Sequence, residues 1–92
     1  MVGWGEIELL VPGSHSLKDK RQVLSSLMQR IRQNFNLSLC EVEGQDSWQR
    51  SRLEAAWVGT SQTAVEETFA ALLRTLEGNP SIQILTSTHE VL

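Results

Sequence analysis

The chain has 92 residues, a formal net charge of −3, and 40% hydrophobic and 21% charged residues. That length holds one small core, a single domain over residues 1–92, and excludes an enzyme with a separate cofactor domain. The acidic balance excludes a protein whose whole surface coats nucleic acid, and it leaves room for a local basic patch.

The first segment, Gly3 to Val11, alternates. Gly3, Gly5, Ile7, Leu9 and Val11 fall on one side, and Trp4, Glu6, Glu8 and Leu10 on the other. Period two predicts a half-buried strand, stopped by Pro12–Gly13. Ser16 then reads as a helix N-cap, with Asp19 three residues on as a weaker capping box. Leu17, Leu24, Leu27, Met28, Ile31 and Phe35 form an apolar stripe, which predicts a helix from Leu17 to about Asn34. Asn34 and Asn36 are natural stop residues.

Leu37 to Glu43 alternates again, with Leu37, Leu39 and Glu41 opposite Ser38, Cys40 and Val42. A polar loop from Gly44 to Arg50 leads to a third strand, Ser51 to Val58, so the two strands form a hairpin. Thr60 or Ser61 caps a second helix whose stripe is Val65, Phe69, Leu72, Leu73 and Leu76. Glu66 and Glu67 lie early in it, where they suit the helix dipole. Gly78–Asn79–Pro80 ends it, and Ile82 to about Val91 is the fourth strand.

The order β-α-β-β-α-β predicts an α+β, ferredoxin-like sandwich: a four-stranded antiparallel sheet, strand order 4-1-3-2, with both helices on one face. The other sheet face is left open. It should carry Trp4, Glu6, Glu8 and Leu10 beside Arg52, Glu54, Ala56 and Val58. This face is acidic and lacks the Gly–aromatic signature of RNA-recognition modules on the third strand, so stacking of RNA there is not expected. Its mixture of apolar and charged residues suits pairing with another copy, and a small domain gains from a homodimer.

The same topology brings the loop after the first strand, the start of the first helix, the hairpin loop and the exit of the second helix to one end. Of the eight basic residues, Lys18, Lys20, Arg21, Arg30, Arg32, Arg50 and Arg52 lie in the middle of the chain, and Arg74 stands apart. Lys18, Lys20 and Arg21 crowd a helix N-terminus, against the dipole, and with free backbone N–H groups they form a candidate anion site. The plainer reading is a solvated helix start. On a helical wheel Lys18, Arg21, Ser25, Gln29 and Arg32 make a stripe beside the apolar face, suited to a phosphate backbone or simply to solvent. Lys20 falls on the apolar side, so its stem lies along the core edge. Asp46 of the hairpin loop is a candidate ion-pair partner, which would make Lys20 structural. Trp48, Gln49 and Arg50 combine an aromatic, an amide and a cation, a set used for nucleic-acid contact. For Trp48 the preferred reading is an interface anchor or a lid on the core, because aromatic anchors in protein interfaces are common.

Other chemistry has little residue support. His15, Cys40 and His89 are too dispersed for a metal site, and no CxxC or HExxH spacing occurs. Ser14–His15–Ser16 lacks an acyl-transfer context. Glu6 and Glu8 share a strand face and read as exposed glutamates rather than a catalytic pair. No cofactor and no enzymatic activity are expected. Cys40 is the only cysteine, which excludes a disulfide framework. The start of the chain lacks a cationic region, and Leu9–Leu10–Val11 is too short for a signal or membrane segment, so a cytoplasmic protein without membrane contact is expected.

Three segments carry a family resemblance. Pro12-Gly13-Ser14-x-Ser16-Leu17-Lys18-Asp19-Lys20-Arg21 resembles the opening of the YlxP-like family of small bacterial proteins. Asn36-Leu37-Ser38-Leu39-Cys40-Glu41-Val42 resembles its second strand, and Gln45-Asp46-Ser47-Trp48-Gln49-Arg50 its hairpin loop. Asn79-Pro80 before the last strand also fits. Asp19, Glu54 and Trp57 depart from the family's usual Glu, small and aliphatic residues. The resemblance implies a ferredoxin-like fold and, through genes lying near translation factors, a link to RNA or the ribosome. The functional expectation is therefore a non-enzymatic module that binds rRNA or a ribosomal subunit. Ser16, Lys18, Lys20 and Arg21 would hold phosphate, Arg32 would extend the stripe, and Trp48, Gln49 and Arg50 would close the site. The alternative is a homodimeric structural or small-ligand-sensing module of ACT-like architecture.

Overall fold

Alternating residues set the sheet, and two capped amphipathic segments set the helices. The computed structural model describes residues 1–92. Strand β1 spans Val2–Leu10, helix α1 Leu17–Asn34, strand β2 Ser38–Glu43, strand β3 Arg50–Val58, helix α2 Gln62–Glu77 and strand β4 Gln83–Val91. The boundaries fall within a residue of those read from the pattern. The sheet order is β2-β3-β1-β4 and every pairing is antiparallel. The fold is the ferredoxin-like α+β arrangement.

The strand alternation decides what is buried. Ile7 and Leu9 of β1, Leu53, Ala55 and Trp57 of β3 and Leu39 of β2 meet Leu24, Leu27 and Ile31 of α1 and Val65, Phe69, Leu72 and Leu76 of α2. Trp57 donates its indole N–H to the Val65 carbonyl at 3.1 Å and stacks on Phe69, with ring centroids 5.8 Å apart. These two rings lie over Gly3 and Gly5 of β1, where a Cβ would collide with the rings of Trp57 and Phe69 respectively. Glycine in a strand interior here marks a close approach of side chains to the backbone.

Both helices start on a serine. Ser16 Oγ accepts the Asp19 N–H at 3.1 Å, and Ser61 Oγ accepts the Ala64 N–H at 3.1 Å. The cap of α2 is thus Ser61, not Thr60. Glu66 and Glu67 begin in the second turn, since the first turn of α2 holds no acid. A dipole contribution from them is correspondingly small. No helix is long and apolar enough to cross a membrane.

The open face is as read, and it is tied together internally. Arg52 pairs with Glu6 at 3.3 Å and Glu43 at 2.9 Å, and Arg50 pairs with Glu8 at 3.5 Å. Trp4 donates its indole N–H to Glu54 at 2.7 Å.

Candidate nucleic-acid interface

The loop between β1 and α1 and the loop between β2 and β3 meet at one end of the sheet. Gly44 opens the hairpin turn with φ 91°, and a Cβ there would stand 2.5 Å from the Arg50 carbonyl oxygen. This is the one left-handed residue of the chain, and only glycine takes it without strain. The turn closes as Ser47 donates its N–H to Gly44 O at 2.9 Å, and Ser47 Oγ accepts the Arg50 N–H at 3.0 Å. Gln49 then clamps the two loops: its side-chain amide N–H group donates to Pro12 O and Ser14 O, each at 3.4 Å, and its backbone carbonyl accepts the Val11 N–H at 2.7 Å.

Lys20 makes a second tie, and its partner corrects the expectation. Its ammonium lies 3.2 Å from Glu41 Oε2 and donates to Gly44 O. Ser51 donates its hydroxyl to the same Glu41 oxygen at 2.5 Å. Asp46 is exposed at the loop tip and joins no ion pair. The reason is geometric: Glu41 follows Leu39 on the helix-covered side of β2, directly beneath α1, whereas Asp46 lies beyond the Gly44 turn. Lys20 is 1% exposed, so its ammonium is spent on the fold and faces no external anion. The sequence-derived anion set loses this member.

The helix N-terminus is also partly taken. Ser16 Oγ serves Asp19, and the Asp19 carboxylate accepts the His15 N–H at 3.2 Å. A carboxylate thus stands where a bound anion would approach. The remaining cations sort by face. Lys18 and Arg21 are exposed, join no ion pair, and line a shallow depression on the outer side of α1 with Gln22, Ser25 and Gln29. Arg32 is exposed farther along the same stripe and donates to Leu39 O at 2.8 Å, fastening α1 to β2. Trp48 is 57% exposed, which removes the core-lid reading and leaves its ring free for a partner. Arg50 belongs to the opposite side: it lies in register with Leu10 and pairs with Glu8 on the open face. The structure therefore groups Lys18, Arg21 and Arg32 on one helix face, with Gln49 and Trp48 in the loop clamped to its start. It sets Arg50 and Lys20 apart from that group.

No group of three or more His, Cys, Asp or Glu side chains converges. The Lys20–Glu41–Ser51 network was missed as a unit in the sequence, although the Leu39/Glu41 alternation had already put Glu41 under the helix.

A family described as "Protein of unknown function (DUF503)" matches residues 2–89. The chain belongs to the DUF503 family. It is 34% identical over 83 residues, covering 90% of each chain, to the protein of Bacillus subtilis (strain 168) described as "Uncharacterized protein YlxP". The segments that carried the resemblance are the parts of this DUF503 chain that build the clamped end: the β1–α1 loop, β2 and the hairpin loop.

Proposed function

We propose that the protein is a non-enzymatic, cytoplasmic RNA-binding module that docks on the phosphate backbone of ribosomal RNA through the outer face of α1. The observation that carries this reading is the distribution of unpaired charge. Helix α1 holds five of the eight basic residues, Lys18, Lys20, Arg21, Arg30 and Arg32, against the single acid Asp19. The basic residues of the sheet, Arg50 and Arg52, are matched by Glu8, Glu6 and Glu43. Lys18, Arg21, Arg30 and Arg32 have no carboxylate partner, so α1 is the surface that attracts an anion. Trp48 and Gln49 belong to the loop that Gln49 clamps to the segment before α1: in this reading the exposed indole stacks on an unpaired base while the cations hold phosphates.

The test is sedimentation of the tagged protein with ribosomal subunits from a lysate at low salt. The wild type migrates with a subunit, and the Lys18→Glu/Arg21→Glu variant stays at the top of the gradient. Migration of both with the same fraction would refute a contact through α1.

A second reading, a homodimer through the open face, is favoured by one cluster. Val58 is 78% exposed, Leu92 69% and Val2 41%. Val2 opposes Val58, and Val2 and Leu92 exchange backbone hydrogen bonds, so the three side chains share one end of that face. Sedimentation velocity then gives a dimer that Val58→Glu converts to a monomer. A wild-type monomer across the micromolar range removes this reading.

A further inference from the structure

Strand β4 is an outer strand of the sheet, and α2 covers it only in part, leaving Thr86–Glu90 exposed. Its register puts His89 opposite Gly5 and Ser87 opposite Ile7, on the core side, yet both are exposed. Between β4 and α2 runs an open groove of 570 Å³, floored by Phe69, Ala70, Leu73 and His89 and rimmed by Glu66 and Glu67. The His89 ring stacks on Phe69 at 4.7 Å, which fixes the floor. No lysine or arginine lines the groove. Arg74, on the same helix, lies outside it.

The edge beside this groove is open for pairing. Strand β4 contains no proline, lysine or arginine, the residues that commonly blunt an exposed edge. Its one irregularity is a register shift opposite Glu8/Leu9, which leaves Thr86–Val91 as a regular stretch. The other edge, β2, is shorter and is fastened to α1 by Arg32.

We propose that Thr86–Val91 and the adjoining groove form a docking site for an extended cationic segment of another protein, added as a fifth strand. Backbone hydrogen bonds to β4 supply the attachment, and alternate side chains enter the groove. Apolar ones rest on Ala70, Leu73 and the His89 ring, and lysine or arginine faces Glu66 and Glu67. A second copy is disfavoured as the occupant, because pairing two β4 edges would bring both acidic rims to one seam with no cation lining either groove. This proposal is independent of RNA binding by α1.

The experiment is titration of the ¹⁵N-labelled full chain with two end-blocked seven-residue peptides, one alternating Lys and Val and one alternating Glu and Val. The Lys–Val peptide is expected to shift and protect from exchange the amides of Thr86–Val91 and to shift those around Glu66–Leu73. The Glu–Val peptide leaves them unchanged, and the exposed double variant Glu66→Lys/Glu67→Lys weakens Lys–Val binding at least about tenfold. Equal binding of both peptides, or no change in β4, overturns the proposal. So does concentration-dependent protection of β4 without peptide, which would mean that a second copy occupies the edge.

Discussion

Two buried residues show how a single side chain fixes its surroundings. At Gly5 an added Cβ would stand 2.5 Å from the Phe69 ring, in a core that has no room to yield. Gly5→Ala is expected to lower the unfolding free energy by about 1–3 kcal/mol in urea denaturation. Phe69→Leu should lower it too, and the two changes together should cost less than their sum, because the smaller side chain vacates the collision. Lys20 has the opposite sensitivity, since its removal takes away the only counter-charge of Glu41 and leaves that carboxylate held by the Ser51 hydroxyl alone. Lys20→Met is expected to cost about 3 kcal/mol, and pairing it with Glu41→Leu should recover part of that loss. Asp46→Ala should change stability by less than about 0.5 kcal/mol, because the carboxylate has no partner and is exposed. A large effect of Asp46→Ala in the same assay would contradict the assignment of Glu41.

At the scale of elements, the periodic segments were legible and the ties between them were not. Helix α1 could be read from Ser16, Asp19 and an unbroken apolar stripe, and its bounds match. The inward placement of Lys20 was legible from the same wheel. Its partner follows from the strand alternation, which sets Glu41 beneath the helix, and not from the loop acid Asp46. Trp57 over Gly3 is a contact between neighbouring strands' side chain and backbone, and spacing within one strand carries no trace of which glycine lies under which ring. Strand β4 is read to about Val91 and ends there, although its apolar alternation is confined to Ile82 and Ile84. From Thr86 to Glu90 the apolar alternation is lost, and the side chains of that stretch are exposed at the sheet edge. Of the candidate site, the α1 stripe of Lys18, Arg21 and Arg32 does lie exposed on the helix, whereas Arg50, grouped with it through the hairpin loop, is the first residue of β3 and faces the open side. The clamp by Gln49 makes a further prediction. Gln49→Ala removes side-chain hydrogen bonds to Pro12 O and Ser14 O and should cost about 1 kcal/mol, with faster amide exchange in both loops and none of that acceleration in β4.

For the whole molecule, the net charge of −3 averages surfaces of opposite sign. The outer face of α1 is basic, the open face is acidic and internally paired, and the α2 rim carries Glu66 and Glu67. Segregation of this kind orients the molecule toward an anionic partner without making it basic overall. Under the proposed function, it would let an acidic protein meet RNA through one side alone. The central claim is that phosphate contacts run through Lys18 and Arg21, and such contacts release counterions. The most direct measurement is the salt dependence of binding to a ribosomal RNA fragment, wild type against Lys18→Glu/Arg21→Glu. Affinity is expected to fall steeply with salt, the variant to bind at least about tenfold more weakly, and its log–log slope to be shallower by about two. An unchanged affinity and slope in the variant would contradict phosphate contact through Lys18 and Arg21.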